Sequence, residues 1–182
     1  SPMAAAPTAV RSDRCLWQRH QAAACQYCLA ACPSGALQLN QRQIELNLER
    51  CLGCGICLVA CPVECFETED WSERSIVATL ARLKQPVVEV ACKCHPAPQE
   101  GSEMVPVLQV NTCLGAISPG LWFEIGLEHT VRVRLEYCAS CPLSKSSRYA
   151  RLAVELAGKW LESSGRSSSL LVEENPMLQP PV

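Results

Sequence analysis

Between Cys51 and Pro62 the chain reads Cys51-Leu52-Gly53-Cys54-Gly55-Ile56-Cys57-Leu58-Val59-Ala60-Cys61-Pro62, and this run constrains the fold more than any other stretch. Its spacing is C-x2-C-x2-C-x3-C-P. A four-iron cubane offers four iron corners, and each needs a thiolate. Three thiolates two residues apart can wrap three corners of one cube from a single tight loop, and the fourth then reaches a second cube. Gly53 and Gly55 suit a backbone that curls close to such a group, because glycine tolerates positive φ. Pro62 fixes the direction in which the chain leaves.

A cysteine that leaves its own cube needs another one to reach. The chain supplies it upstream as Cys25-x2-Cys28-x3-Cys32-Pro33, the same C-x3-C-P ending. The usual first position, 22, is alanine, and the cysteine in reach is Cys15, separated from Cys25 by nine residues. The first motif is therefore C-x9-C-x2-C-x3-C-P, with Leu16–Ala24 as a detour of one or two helical turns. Crossed ligation gives cluster I to Cys15, Cys25, Cys28 and Cys61, and cluster II to Cys32, Cys51, Cys54 and Cys57. Should Cys15 not ligate, cluster I is three-iron or takes Cys65; otherwise Cys65 is a small buried residue. The two halves form an internal repeat. Between them, Leu37 and Leu39 alternate with polar residues and pair with Ile44, Leu46 and Leu48 as a hairpin turning at Asn40–Gln43. Structural zinc is the rival for these cysteines, but zinc usually draws on two separated C-x2-C pairs.

Past Trp71 the pattern changes. Ser72 caps a predicted helix with the stripe Ile76, Val77, Leu80 and Leu83, stopped by Pro86. Three strands follow, near 86–91, 105–110 and 130–136, and each runs straight into cysteine: Cys92 and Cys94, then Cys113, then Cys138 and Cys141. A helix over 118–127 separates the second and third strands. Another over 147–162, with the stripe Tyr149, Leu152, Ala153, Leu156 and Trp160, follows the third. Strand–helix–strand order implies parallel neighbours with right-handed crossovers. In a parallel sheet the carboxyl ends share one edge, where ligands bind, so the five thiols are expected to meet there. A two-iron cluster held by four of the five is the preferred occupant. Zinc is the second choice, and a Cys138-x2-Cys141 dithiol the third. His95 is read as a supporting donor or an exposed residue.

Composition removes several function classes. The chain has 182 residues with net charge −2 and no lysine or arginine block, so no nucleic-acid footprint is expected. No run reaches membrane-spanning length. No apolar leader segment is visible, and 14 cysteines at cluster spacing then point to a reducing, cytoplasmic setting. No Gly-rich nucleotide loop and no Ser/His/Asp set is recognisable, and His20, His95 and His129 are scattered. No catalytic residue is assigned.

On Cys25, Cys28, Cys32-Pro33, Cys51, Cys54, Cys57 and Cys61-Pro62, residues 14–66 resemble the bacterial two-[4Fe–4S] ferredoxins. Residues 86–163 resemble, more faintly, the delta subunit of methyl-viologen-reducing hydrogenase. They share Cys92-x-Cys94 after a strand, Cys113-Leu-Gly-Ala-Ile-Ser-Pro119 before a helix, and Cys138-x2-Cys141 after the next strand. That family carries C-x2-C where this chain has C-x-C, and often arginine where Ala116 stands. The resemblances imply an α+β ferredoxin-like two-cluster domain followed by a small α/β thioredoxin-like domain with a mostly parallel sheet. They imply two [4Fe–4S] clusters and one [2Fe–2S] cluster. The expected layout is a disordered tail over 1–13, the two-cluster domain over 14–69, a linking helix over 70–85, the cysteine-rich domain over 86–165, and a tail or docking arm over 166–182. The expected role is an electron-transfer subunit working beside flavin-, hydrogenase- or dehydrogenase-type subunits. Its rivals are a thiol/disulfide reductase using Cys138 and Cys141, and a zinc-holding assembly module.

Overall fold

The computed structural model describes residues 7, 9–69, 71–96 and 105–174. The chain opens with strand β1 (Ala9–Val10), a single helical turn α1 (Leu16–Arg19), and helix α2 (Tyr27–Ala31). The hairpin β2 (Leu37–Asn40) and β3 (Gln43–Leu46), helix α3 (Ile56–Ala60) and strand β4 (Phe66–Glu67) complete the first half. The hairpin pairs Leu37 with Leu46 and Leu39 with Ile44, antiparallel. Its two turn residues, Gln41 (φ 45°) and Arg42 (φ 67°), are both left-handed, the backbone that matches strand twist but that side chains resist. Arg42 is compensated by its partners. Its guanidinium donates to the Trp17 and His20 carbonyls, each at 2.7 Å, and lies 5.3 Å from the centre of the Trp17 ring. This tie fastens the detour after Cys15 to the hairpin. Leu48, expected in the hairpin, lies beyond β3 and is exposed.

Two expectations about the chain ends need correction. Ala9–Val10, placed in a disordered tail, pairs antiparallel with Phe66–Glu67, and Arg11 N–H donates to the Cys65 carbonyl at 2.7 Å. The two-residue run Ala9–Val10 is too short to read as a strand until its partner is known. Residues 1–6 and 8 lie outside the described residues.

The second half carries helix α4 (Glu73–Leu83), strands β5 (Val87–Cys92) and β6 (Val107–Val110), helix α5 (Pro119–Glu128), strand β7 (Thr130–Arg134), helix α6 (Ser147–Ser163) and strand β8 (Leu170–Glu173). Caps start two of the helices. The Ser72 hydroxyl accepts from Ser75 N–H, and the Ser118 hydroxyl from Leu121 N–H with Pro119 in the first turn. The Glu73 carboxylate accepts from Ser118 N–H at 2.9 Å and links the two caps.

The four strands form one parallel sheet in the order β6-β5-β7-β8. Here the second end is corrected: Leu170–Glu173, expected in a free tail or a docking arm, is an edge strand of this chain's own sheet. Residues 175–182 lie outside the described residues. Val88, Val90, Val131 and Val133, all at 0% exposure, share a core with Leu121, Trp122, Ile125 and the small face of α6. Alternation sends Glu89, Arg132 and Arg134 to the other face, where Glu89 pairs with both arginines.

Helix α6 buries a different stripe from the expected one. Ala150, Ala153, Val154, Ala157 and Leu161 face inward, whereas Leu152, Leu156 and Trp160 stay exposed. Close approach to α5 decides this: a Cβ on Gly126 would come within 2.6 Å of Leu161 Cδ1, so the contact between the helices favours small residues.

Candidate metal centres

The structure gathers the cysteines into three groups. In the first, Cys28 is buried on α2. Burial, and after it the charges of Cys61, Cys25 and Cys15, push its thiol up to about 11. Cys15 sits just before α1, and the Trp17 indole donates to the Cys25 carbonyl, so the detour folds back on itself and returns Cys15 to α2. Cys65, whose place was open, lies against this group. Its backbone N–H donates to Cys61 Sγ at 3.4 Å, and burial together with Cys61 and Cys15 drives its thiol far above the ordinary range.

In the second group Cys57 is raised far above the ordinary thiol range by burial and then by Cys54, Cys51 and Cys32. Burial pushes Cys54 up to about 11, with Cys32 and Cys51 adding to it. Cys32 shifts the other way. Its own burial is outweighed by hydrogen bonds from the Leu37, Ala36 and Ser34 N–H groups and the Ser34 hydroxyl, which lower its pKa. These amides follow directly from the Cys32-Pro33-Ser34-Gly35 turn. Gly55, at φ 77°, starts α3 in a left-handed conformation and brings the loop back on itself.

The third group stands where the parallel sheet ends. Cys92, Cys94, Cys113, Cys138 and Cys141 line one cavity of about 180 Å³, with His95 at its wall. Cys113 is pushed up to about 12 by burial, partly offset by the Gly115 N–H, with Cys92, Cys54 and Cys138 raising it further. Burial, then Cys92 and Cys141, push Cys138 up to about 11. Gly115 N–H donates to Cys113 Sγ and Leu143 N–H to Cys141 Sγ, each at 3.4 Å. Cys94 is the exposed member, and burial followed by the charge of Cys141 raises its thiol. His95 is buried and both its ring nitrogens are engaged, with Glu136 Oε1 at 3.1 Å and the Pro96 carbonyl at 2.7 Å. It braces the wall and has no nitrogen left for a metal.

The second and third groups touch. Cys113 N–H donates to the Cys54 carbonyl at 3.0 Å, and Ala31, Ile56, Cys113, Ala116 and Leu143 form one small core with Cys54 and Cys141 against it. Sequence reading missed this junction, because nothing in either segment marks the other as its neighbour. It also missed Thr112, fully buried beside Cys113, whose hydroxyl has no partner among the described residues.

The donor chemistry of the first two groups fits iron–sulfur clusters, and the thiols of the third suit zinc or an iron–sulfur cluster alike. Each group is built from thiols alone, largely shielded from water and supplied with N–H donors aimed at sulfur. Among the described residues, no three His, Cys, Asp or Glu side chains close on a single metal ion. Among the described residues no helix is long and apolar enough to cross a membrane.

Comparison with known proteins agrees for the first half. Residues 23–65 match the model of the 4Fe-4S dicluster domain. The chain is similar to a ferredoxin of Methanocaldococcus jannaschii, 33% identical over 73 residues, covering 37% of this chain and 42% of that one. It is similar to the polyferredoxin-like subunit of an aliphatic sulfonate oxidoreductase of Pyrococcus furiosus, 28% identical over 80 residues, or 43% and 44% of the two chains. It also matches the electron transport protein HydN of Escherichia coli, 40% identical over 40 residues, or 22% and 23%. The chain thus spans less than half the length of each of these relatives. No solved structure gives a significant match. Within the first half of the chain, residues 23–65 are thus similar to 4Fe–4S dicluster domains.

Proposed function

We propose that this protein is an iron–sulfur electron-transfer subunit that relays single electrons within a larger oxidoreductase. In this reading Cys15, Cys25, Cys28 and Cys61 hold one [4Fe–4S] cluster, and Cys32, Cys51, Cys54 and Cys57 hold the other. Four of Cys92, Cys94, Cys113, Cys138 and Cys141 hold a [2Fe–2S] cluster in a second domain resembling the hydrogenase delta subunit. Such groups, when bound, supply one-electron redox chemistry. The chain's own residues do the rest. Burial excludes water, and the N–H donors at Cys32, Cys61, Cys113 and Cys141 stabilise negative charge on sulfur.

The single observation that carries the reading is the adjacency of the cysteine groups: the Cys113 amide on the Cys54 carbonyl joins the sheet-end thiols to the ferredoxin-type loop. A solitary structural metal needs no such contact, but a relay does. The named relatives support the setting, since their names describe electron transport and oxidoreductase subunits. The partner is proposed to be a flavin-, hydrogenase- or dehydrogenase-type subunit.

Metal analysis of anaerobically purified protein tests this. About ten iron and ten sulfide per chain are expected, from two cubanes and one two-iron cluster. About eight iron with one zinc would replace the third cluster by a zinc module. A colourless, iron-free protein that keeps its fold would overturn the whole reading.

A further inference from the structure

We propose that Thr112, from the second half of the chain, tunes the cluster held by the Cys51–Cys57 loop by donating a hydrogen bond from its hydroxyl to sulfur at that loop. The inference rests on the reading in which Cys32, Cys51, Cys54 and Cys57 hold a four-iron cluster.

Three observations carry it. Thr112 is at 0% exposure and its hydroxyl has no hydrogen-bond partner among the described residues. A buried hydroxyl left unpaired costs free energy that valine, nearly the same shape, would avoid. The side chain also packs against the ligand loop through its methyl group, with the hydroxyl on the other branch of the same Cβ. A Cβ on Gly55, between Cys54 and Cys57, would lie 2.8 Å from Thr112 Cγ2 and 3.3 Å from its Cβ. Finally, the next residue fixes the backbone, because Cys113 N–H donates to the Cys54 carbonyl at 3.0 Å. A loaded site adds sulfur acceptors to this neighbourhood, where the described residues offer the hydroxyl none. A donor to sulfur favours the more negatively charged, reduced cluster and so raises its potential.

The position also gives the tuning a use. Thr112 precedes Cys113, a member of the sheet-end group, and abuts the loop that carries Cys54 and Cys57. A hydrogen bond there acts at the step where electrons pass between the two centres, and it leaves the cluster held by Cys15, Cys25, Cys28 and Cys61 untouched.

The test compares full-length wild type, Thr112→Val and Thr112→Ser, all loaded anaerobically, by EPR-monitored redox titration with iron and sulfide counts. Thr112→Val is expected to shift one four-iron signal to lower potential and leave the other where it was, at unchanged iron content. Thr112→Ser, which keeps the hydroxyl, is expected to stay near wild type. Pulsed EPR in D2O on the shifted signal is expected to show one exchangeable deuteron coupling that Thr112→Val removes. Unchanged potentials and an unchanged deuteron coupling in Thr112→Val, at full iron content, would overturn the proposal. If Thr112→Val fails to load, Thr112→Ala provides the same comparison. A wild type with fewer than eight iron per chain would instead overturn the two-cubane reading beneath it.

Discussion

Gly55 shows how much one residue decides at the junction of the two halves. Its φ of 77° lies in the region that side chains avoid, and a Cβ there would press on Thr112 Cγ2 at 2.8 Å and on the Ala116 Cβ at 3.3 Å. Gly55→Ala therefore meets both backbone strain and a collision with a fully buried neighbour. A loss of about 1–3 kcal/mol is expected, read as a lower urea midpoint and less iron retained after gel filtration. Gly158 is the opposite case. It lies inside α6, and a methyl group added there would meet nothing within 4 Å. Gly158→Ala is therefore expected to raise stability by about 0.5–1 kcal/mol in the same urea measurement.

At the level of elements, caps and close contacts set the helices. Removing the Ser72 hydroxyl takes away the side-chain acceptor of the Ser75 N–H and leaves it only the Ser72 carbonyl at 3.2 Å, and Ser72→Ala is expected to cost about 1 kcal/mol in thermal unfolding. Gly126→Ala forces α5 off α6, since Leu161 and Ser169 both crowd that point. A loss of about 1–3 kcal/mol is expected, with a lower melting temperature as the readout. The Ser72 cap and the hairpin were legible in the sequence, because capping and alternation are local. The inward face of α6 was not. Leu152, Leu156 and Trp160 have helical spacing, and so do Ala150, Val154, Ala157 and Leu161. Periodicity alone cannot rank them; the spacing between α5 and α6, set by Gly126, does. Strand β8 was illegible for a related reason: a four-residue run in a serine-rich stretch becomes a strand only because β7 offers it an edge.

Across the whole molecule the two halves rest on different physics. The core of the first half has eight buried residues, and five of them are cysteines: Cys15, Cys28, Cys57, Cys61 and Cys65. The core of the second is built from aliphatic side chains around Trp122 and the central strands. A small unit with so little apolar burial leans on its metal for stability. Chelating iron anaerobically is expected to strip amide protection from residues 9–69 while β5, β7 and α5 stay protected, as measured by hydrogen exchange. Equal protection in both halves after iron removal would contradict this division.

The spacing of cysteines within each short motif, and the approach of each strand to a cysteine at its carboxyl end, follow from local sequence, since thiolate reach and strand direction are short-range properties. What the sequence could not specify was the meeting of distant segments: Cys113 on Cys54, Thr112 against Gly55, Ala9–Val10 on Phe66–Glu67 and Leu170–Glu173 on β7. Those contacts join residues from tens of positions apart, and packing selects them only when the whole chain is folded.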